Sequence, residues 1–231
     1  MKNNFNTYGI ILAGGMGSRM NSDLPKQFLK LEDKPLILWS MLTFQNTESI
    51  NNIIIVSSDE YHDMLGTLAN DYKIDKLFTF APAGKTRQES SYNAILSHSF
   101  NNNDILLFHD AARPFVTHSI LNTMIETVAT TGAASVYVKA IDTIAVIKNN
   151  IVESIPKRDN LYYTQTPQGF TYQIIKQSHD QLENYDDVTD DVSIVLKAGH
   201  EVAKVEGDYK NIKITTPQDY KIAQYLAKKF I

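Results

Sequence analysis

Gly14, Gly15 and Gly17 stand close to Arg19 and Lys26 in the stretch LAGGMGSRM, which is followed by PKQFL. Glycine has no Cβ, so such a loop can bring its backbone against a ligand. Successive N–H groups then form a concavity that holds anions. Two cationic side chains add positive charge to the same place. The chemistry this suits is the cradling of phosphate groups. It is not a P-loop, because Gly17 is followed by Ser18-Arg19 where that motif needs Lys and Ser or Thr. Nor is it the dinucleotide fingerprint, whose last glycine position holds Met20. An ordinary Gly-rich turn is the plain alternative for these residues alone.

Four further stretches carry reactive side chains. GKTRQES, residues 84–90, joins a small-residue turn to basic groups and a hydroxyl at an expected helix start, where anions are favoured. HDAARP, residues 109–114, follows a buried strand, and Asp110 there could hold a hard cation or a sugar hydroxyl. A structural Asp-Arg pair explains the same residues. Lys157-Arg158 precedes TQTPQ, which reads either as polar groups at a strand end or as an edge strand stopped by proline. NIKIT, residues 211–215, alternates like a strand and could aim Lys213 at a ligand edge or simply at solvent.

There is no G-x-S-x-G elbow, no HExxH and no cysteine, so nothing points to an activated nucleophile, a dedicated zinc site or disulfides. Phosphoryl and nucleotidyl transfer need none of these when the attacking group is itself a phosphate monoester. Catalysis then reduces to positioning, charge neutralisation and a metal.

The elements that must position these groups read as a single domain over residues 1–231. Apolar strand candidates recur at residues 10–13, 52–58, 76–80, 104–110 and 134–140, with helical patterns between them. The clearest helix places Ile120, Leu121, Met124, Ile125 and Val128 on one face. This alternation predicts an α/β, Rossmann-like fold: a mostly parallel sheet with helices on both faces and ligands beyond the strands' carboxyl ends. Residues 141–157 break the rhythm and read as a protruding hairpin turning at Lys148-Asn149-Asn150. A lone two-stranded ribbon is marginal, so this arm needs a packing partner. The last helix is expected to open at Thr216-Pro217 and to bury Ile222, Ala223, Leu226 and Phe230.

With 231 residues, 43% hydrophobic and 21% charged, the chain can build an ordinary core and a solvated surface. A net charge of −4 argues against general nucleic-acid binding without excluding an anionic substrate. The opening MKNNFNTYG lacks the apolar core of a signal peptide, and no run is long enough to span a membrane. The expectation is a cytoplasmic protein.

Taken together and in order, LAGGMGSRM, PKQFL, GKTRQES, HDAARPFV, IDTI, QTPQGF, VTDDVSIV and NIKITTPQDY resemble the polyol-phosphate cytidylyltransferases, from about Tyr8 to the C-terminus. The resemblance is strongest to the 2-C-methyl-D-erythritol 4-phosphate cytidylyltransferases of the non-mevalonate isoprenoid pathway. It implies transfer of CMP from CTP to the polyol phosphate, with Mg²⁺ as cofactor and a homodimer held by the arm. By the same resemblance, Arg19 and Lys26 stabilise the transition state. Ala13, Gly14, Gly15, Gly84, Lys85 and Ser90 bind the nucleotide. Asp110 is associated with the metal and the substrate, Arg158 and Lys213 position the attacking phosphate, and Thr143 and Arg113 are further substrate contacts. Arg158 is implied to serve the partner's site.

Two departures from the family pattern are Ala83, where a double glycine is usual, and Gly14, where many members have a second alanine. The LAGG opening is closer to the ribitol 5-phosphate cytidylyltransferases, which are the alternative reading. A nucleotide-binding module without turnover is a third, and the retained charged set argues against it.

Overall fold

The computed structural model describes residues 5–15 and 25–230. In chain order the first half comprises β1 (Thr7–Leu12), β2 (Lys30–Leu31), β3 (Lys34–Pro35), α1 (Leu36–Gln45), β4 (Asn52–Ser57), α2 (His62–Asp71), β5 (Leu77–Pro82) and α3 (Arg87–Leu96). The second comprises β6 (Ile105–Asp110), α4 (His118–Thr131), β7 (Ala133–Lys139), β8 (Val146–Lys148), β9 (Ile151–Ser154), β10 (Tyr162–Thr171), α5 (Tyr172–Gln181), α6 (Asp191–Lys197), β11 (Ala203–Glu206) and α7 (Pro217–Phe230).

Seven strands form the central sheet in the order β11-β7-β10-β6-β1-β4-β5. Only β10 runs antiparallel to its neighbours, β6 and β7. The apolar runs seen in the sequence do not alternate because helices cover both faces. Ile11, Ile53, Ile55, Ile105 and Leu107 point to the face packed by α1, α2 and α4. Ile10, Ile54, Val56, Leu106 and Phe108 point to the face packed by α3, α5 and α6. The chain moves outward from β1 through β4 to β5, then returns to lay β6 on the other side of β1. That reversal opens a crevice beyond the ends of β1 and β6.

Local signals set the element ends. The Thr117 hydroxyl accepts the Ile120 N–H at 3.3 Å and caps α4. Gly132, with φ of 83°, closes the same helix in the left-handed conformation and launches β7 directly. In α7 the Thr216 hydroxyl accepts the Asp219 N–H at 3.2 Å, and the Asp219 carboxylate accepts the Thr216 N–H at 2.8 Å. This is a reciprocal capping pair. Ile222, expected on the buried face of α7, is instead 52% exposed, and Ala223 and Ala227 make the contact with Leu31, Leu36 and Trp39. Small side chains let the helix sit close, which rotates Ile222 outward.

Two further expectations change. Residues 211–215, expected as a strand, join none of the described strands; the Ile214 N–H donates to the Ala112 carbonyl at 2.9 Å and holds the segment across the sheet end. The TQTPQ stretch belongs to β10 in the middle of the sheet, not to an edge. Pro167 is accommodated because the pairing with β7 shifts register between Thr164 and Gln168.

The hairpin forms at the expected turn, with strands confined to β8 and β9. Asn149 and Asn150 both take positive φ, 51° and 62°, as a two-residue type I′ turn requires. Val146, Ile151 and Ile155 on this arm are 39%, 70% and 63% exposed, and Ile141 at its base is exposed as well. Among the described residues, no helix is long and apolar enough to cross a membrane.

Candidate active site

The crevice is a cavity of about 500 Å³ at the carboxyl ends of β1, β4 and β6. Leu12 pairs in register with Asp110, so the glycine loop after β1 lies beside the acid that ends β6. Ala13, Gly14 and Gly15 form one wall, and Gly84, Lys85 and Ser90 form the opposite one. Lys26, Lys85, Arg87 and Lys213 reach the cavity as cations, and Asp110 is the one carboxylate among its described lining residues. A pocket with that balance suits a multiply charged anion.

The wall at residues 84–90 is built by the start of α3. The Thr86 hydroxyl accepts the Glu89 N–H at 3.1 Å, and the Glu89 carboxylate accepts the Lys85 N–H at 2.6 Å. The Ser90 hydroxyl accepts the Gly84 N–H at 3.0 Å and donates to the Thr86 carbonyl at 2.9 Å. A Cβ on Gly84 would fall 2.8 Å from the Ser90 backbone nitrogen, so only glycine lets the turn close on the helix. On the facing side the Gln27 amide donates to the Ala13 carbonyl at 2.5 Å and ties the glycine loop to the turn that carries Lys26. Lys26 itself reaches the Ile214 carbonyl at 3.4 Å.

Asp110 is the electrostatic centre. Lys213 Nζ lies 2.8 Å from Oδ2, Arg113 Nε 3.7 Å from the same oxygen, and Arg87 Nε 3.7 Å from Oδ1. Burial by itself would raise the carboxyl's pKa, but Lys213, Arg87 and Arg113 together outweigh it and hold the group well below the usual carboxylate range. The three cations therefore favour the ionised carboxylate.

Its backbone is fixed just as firmly. The Asp110 N–H donates to the Thr166 hydroxyl at 3.1 Å, and Thr166 stands 3.0 Å from His109 Nδ1. His109 Nε2 faces the Arg113 carbonyl at 3.0 Å. A carbonyl can only accept, so Nε2 carries the proton and Nδ1 accepts from Thr166. Burial pushes the His109 imidazole down to about 4, so it remains neutral and the chain of bonds is set in one direction.

The cavity collects nine of the residues singled out from sequence: Ala13, Gly14, Gly15, Lys26, Gly84, Lys85, Ser90, Asp110 and Lys213. Arg113 lies behind Asp110 rather than on the cavity surface. Its Nη1 donates to the Asn211 carbonyl at 2.8 Å and its Nη2 to the Thr164 carbonyl at 3.2 Å, so it braces the carboxylate and the segment carrying Lys213. Within one chain, Arg158 and Thr143 are exposed on the arm, away from the cavity lining. Arg158 Nη1 donates to the Ile141 carbonyl at 3.0 Å. Arg19 lies outside the described residues. Sequence reasoning gave no role to Arg87, although GKTRQES contains it. Arg87 bridges Asp110 to the buried Asp191, with Nη1 2.8 Å from Asp191 Oδ2.

The profile of the family described as 2-C-methyl-D-erythritol 4-phosphate cytidylyltransferase matches residues 8–229. The chain belongs to that family. It is 38% identical over 222 residues to the 2-C-methyl-D-erythritol 4-phosphate cytidylyltransferase of Clostridium botulinum (strain Okra / Type B1), covering 95% of this chain and 96% of the relative. It is 39% identical over 214 residues to the enzyme of that name from Thermosipho africanus, covering 91% and 93%. The crystal structure of the Francisella tularensis 2-C-methyl-D-erythritol 4-phosphate cytidylyltransferase superposes with a TM-score of 0.80 at 30% identity, covering 95% of this chain and 99% of that one. The 4-diphosphocytidyl-2C-methyl-D-erythritol synthase of Anaerococcus prevotii superposes with a TM-score of 0.84 at 25% identity, covering 97% and 96%. The family match, residues 8–229, spans the positions of the glycine loop, Asp110 and the arm.

Proposed function

We propose that this chain transfers CMP from CTP to 2-C-methyl-D-erythritol 4-phosphate, releasing pyrophosphate and forming the CDP-polyol of non-mevalonate isoprenoid precursor synthesis. The observation that carries the reading is the ionised Asp110, ringed by cations and set in register beside a glycine loop, in a chain of this family. An oxygen of the acceptor's phosphate attacks the α-phosphorus of CTP. The bond from that phosphorus to the bridging oxygen breaks, and pyrophosphate carries away the charge.

No side chain has to act as nucleophile. The glycine-loop amides and the Gly84–Ser90 wall hold the nucleotide, with Lys26, and Arg19 by resemblance, beside the phosphates. Lys213 orients the incoming phosphate and Asp110 sets the position of Lys213. Asp110 would hold Mg²⁺ through Oδ1, since Lys213 already lies 2.8 Å from Oδ2. It offers one carboxylate, and no described group of three or more His, Asp or Glu side chains could grip a metal by itself. Magnesium is commonly held in that way, through one carboxylate with the substrate's phosphates supplying most of the other oxygens. A bound ion would supply charge neutralisation at the triphosphate.

A homodimer through the arm and a cytoplasmic setting belong to the same proposal. The exposed apolar positions of the hairpin support the first, since a second copy would cover them and bring Arg158 and Thr143 toward its cavity.

CTP is expected to be used at least tenfold better than UTP, ATP or GTP in pyrophosphate release with this acceptor. Backbone groups that read the cytosine amino edge are left unpaired by the wrong base, at roughly 1–3 kcal/mol each. Equal turnover with UTP would overturn the cytidylyl assignment.

A further inference from the structure

Gly14 and Ala83 sit on opposite walls of the cavity, and both walls hang from the same strand. The Ala13 N–H donates to the Val56 carbonyl at 2.8 Å, and the Ala83 N–H donates to the next carbonyl, Ser57, at 3.0 Å. The end of β4 therefore fixes how far apart the two loops begin. Between them the space is already filled. A Cβ built on Gly14 would lie 2.6 Å from the Cβ of Ala83, and its next contacts are ordinary ones, 3.6 Å to Ala83 Cα and 3.6 Å to Ser90 Oγ. Gly14 does not adopt the left-handed conformation, so its backbone would accept any small residue. One methyl group, on the other loop, is the whole obstacle.

The neighbouring glycines differ in kind. A side chain on Gly84 would strike the backbone of α3, which cannot give way. A side chain on Gly15 would meet nothing within 4 Å and would project into open space. Only at Gly14 does a single, removable side-chain atom decide the matter.

We infer that Gly14 and Ala83 are a matched pair of positioning residues: the Ala83 methyl fills the gap between the loops and sets the width of the slot that takes the nucleotide. This rests on the nucleotide reading for the identity of the ligand, and on geometry alone for the pairing. One methyl is needed between the loops, and it can come from either side. Two methyls force the walls apart, and none leaves them loosely packed.

The test is a double-mutant cycle read in two ways, as the KM for CTP and as the Tm of the protein without nucleotide. Gly14→Ala is expected to raise the KM at least tenfold and to lower Tm, because overpacking displaces the wall. Ala83→Gly is expected to raise the KM by about threefold by loosening it. The doubly substituted Gly14→Ala/Ala83→Gly protein is expected to return to within about threefold of wild type and to regain most of the lost Tm. Additive losses in the double variant, or a Gly14→Ala enzyme within threefold of wild type in KM, would overturn the pairing. Rescue of Tm in a protein that never turns over CTP would leave the pairing standing and overturn the nucleotide reading instead, so the two failures are distinguishable.

Discussion

Lys26→Ala is expected to keep the parent fold and to lose on the order of 10²-fold or more in kcat, the usual cost of removing one preorganised charge from a developing anion. Lys26 stands at the start of a short turn that is anchored from its own next residue, where the Gln27 amide holds the Ala13 carbonyl at 2.5 Å. The cation is thus held at the mouth of the glycine loop before any substrate arrives. The Gln27 anchor and the packing of Phe28 against Tyr61 persist when the lysine side chain is removed, which is why stability is expected to survive. Arg19→Ala is expected to behave in the same way on the strength of its place in the motif. Steady-state kinetics and a thermal melt check both. A kcat within threefold of wild type would take the residue out of the catalytic assignment.

Mixing two dead enzymes is expected to give a live one. Arg158 is exposed in its own chain, on an arm whose apolar side chains find no cover there. If the arm docks on a second copy, Arg158 serves the neighbour's cavity while Lys26 serves its own. A mixed dimer of Arg158→Ala and Lys26→Ala chains then contains one intact site and one site damaged twice. With free subunit exchange, half the dimers are mixed and half their sites work, so roughly a quarter of wild-type activity should return. The measurement is activity after exchange of the two purified variants, alongside light scattering for the dimer. No recovery under conditions where exchange is demonstrated, or a monomer at micromolar concentration, would confine Arg158 to its own chain.

Much of this arrangement is legible in the sequence, and the part that is not has a physical reason. The strands β1, β4 and β6 show as unbroken apolar runs because both of their faces are buried. Loops that follow such strands point to the crevice, so the order of the chain alone brings the glycine loop and Asp110 together. β10 is different. Its buried positions include Gln165, Thr166 and Gln168, whose polar groups are satisfied by distant partners, among them the Asp208 carbonyl and the Asp190 carboxylate. A buried strand written in polar residues reads as a strand end or an exposed edge. Arg87 shows the same limit from another side. Its residue type and motif are visible, but its role depends on Asp110 and Asp191, which only the folded sheet brings to it. The segment with Lys213 alternates like a strand, yet it has no neighbour to pair with and is held by Ala112 and Arg113 instead.

On the proposed reading, Lys213, set in place by Asp110, orients one particular phosphate for attack on CTP. This is tested most directly by offering the purified protein CTP, Mg²⁺ and equal amounts of 2-C-methyl-D-erythritol 4-phosphate and ribitol 5-phosphate, and identifying the products by mass spectrometry. The expected result is pyrophosphate in step with the CDP-conjugate of methylerythritol, exceeding CDP-ribitol by at least tenfold, and abolished by Lys26→Ala. CDP-ribitol as the main product, or no CDP-polyol from either acceptor, would contradict it.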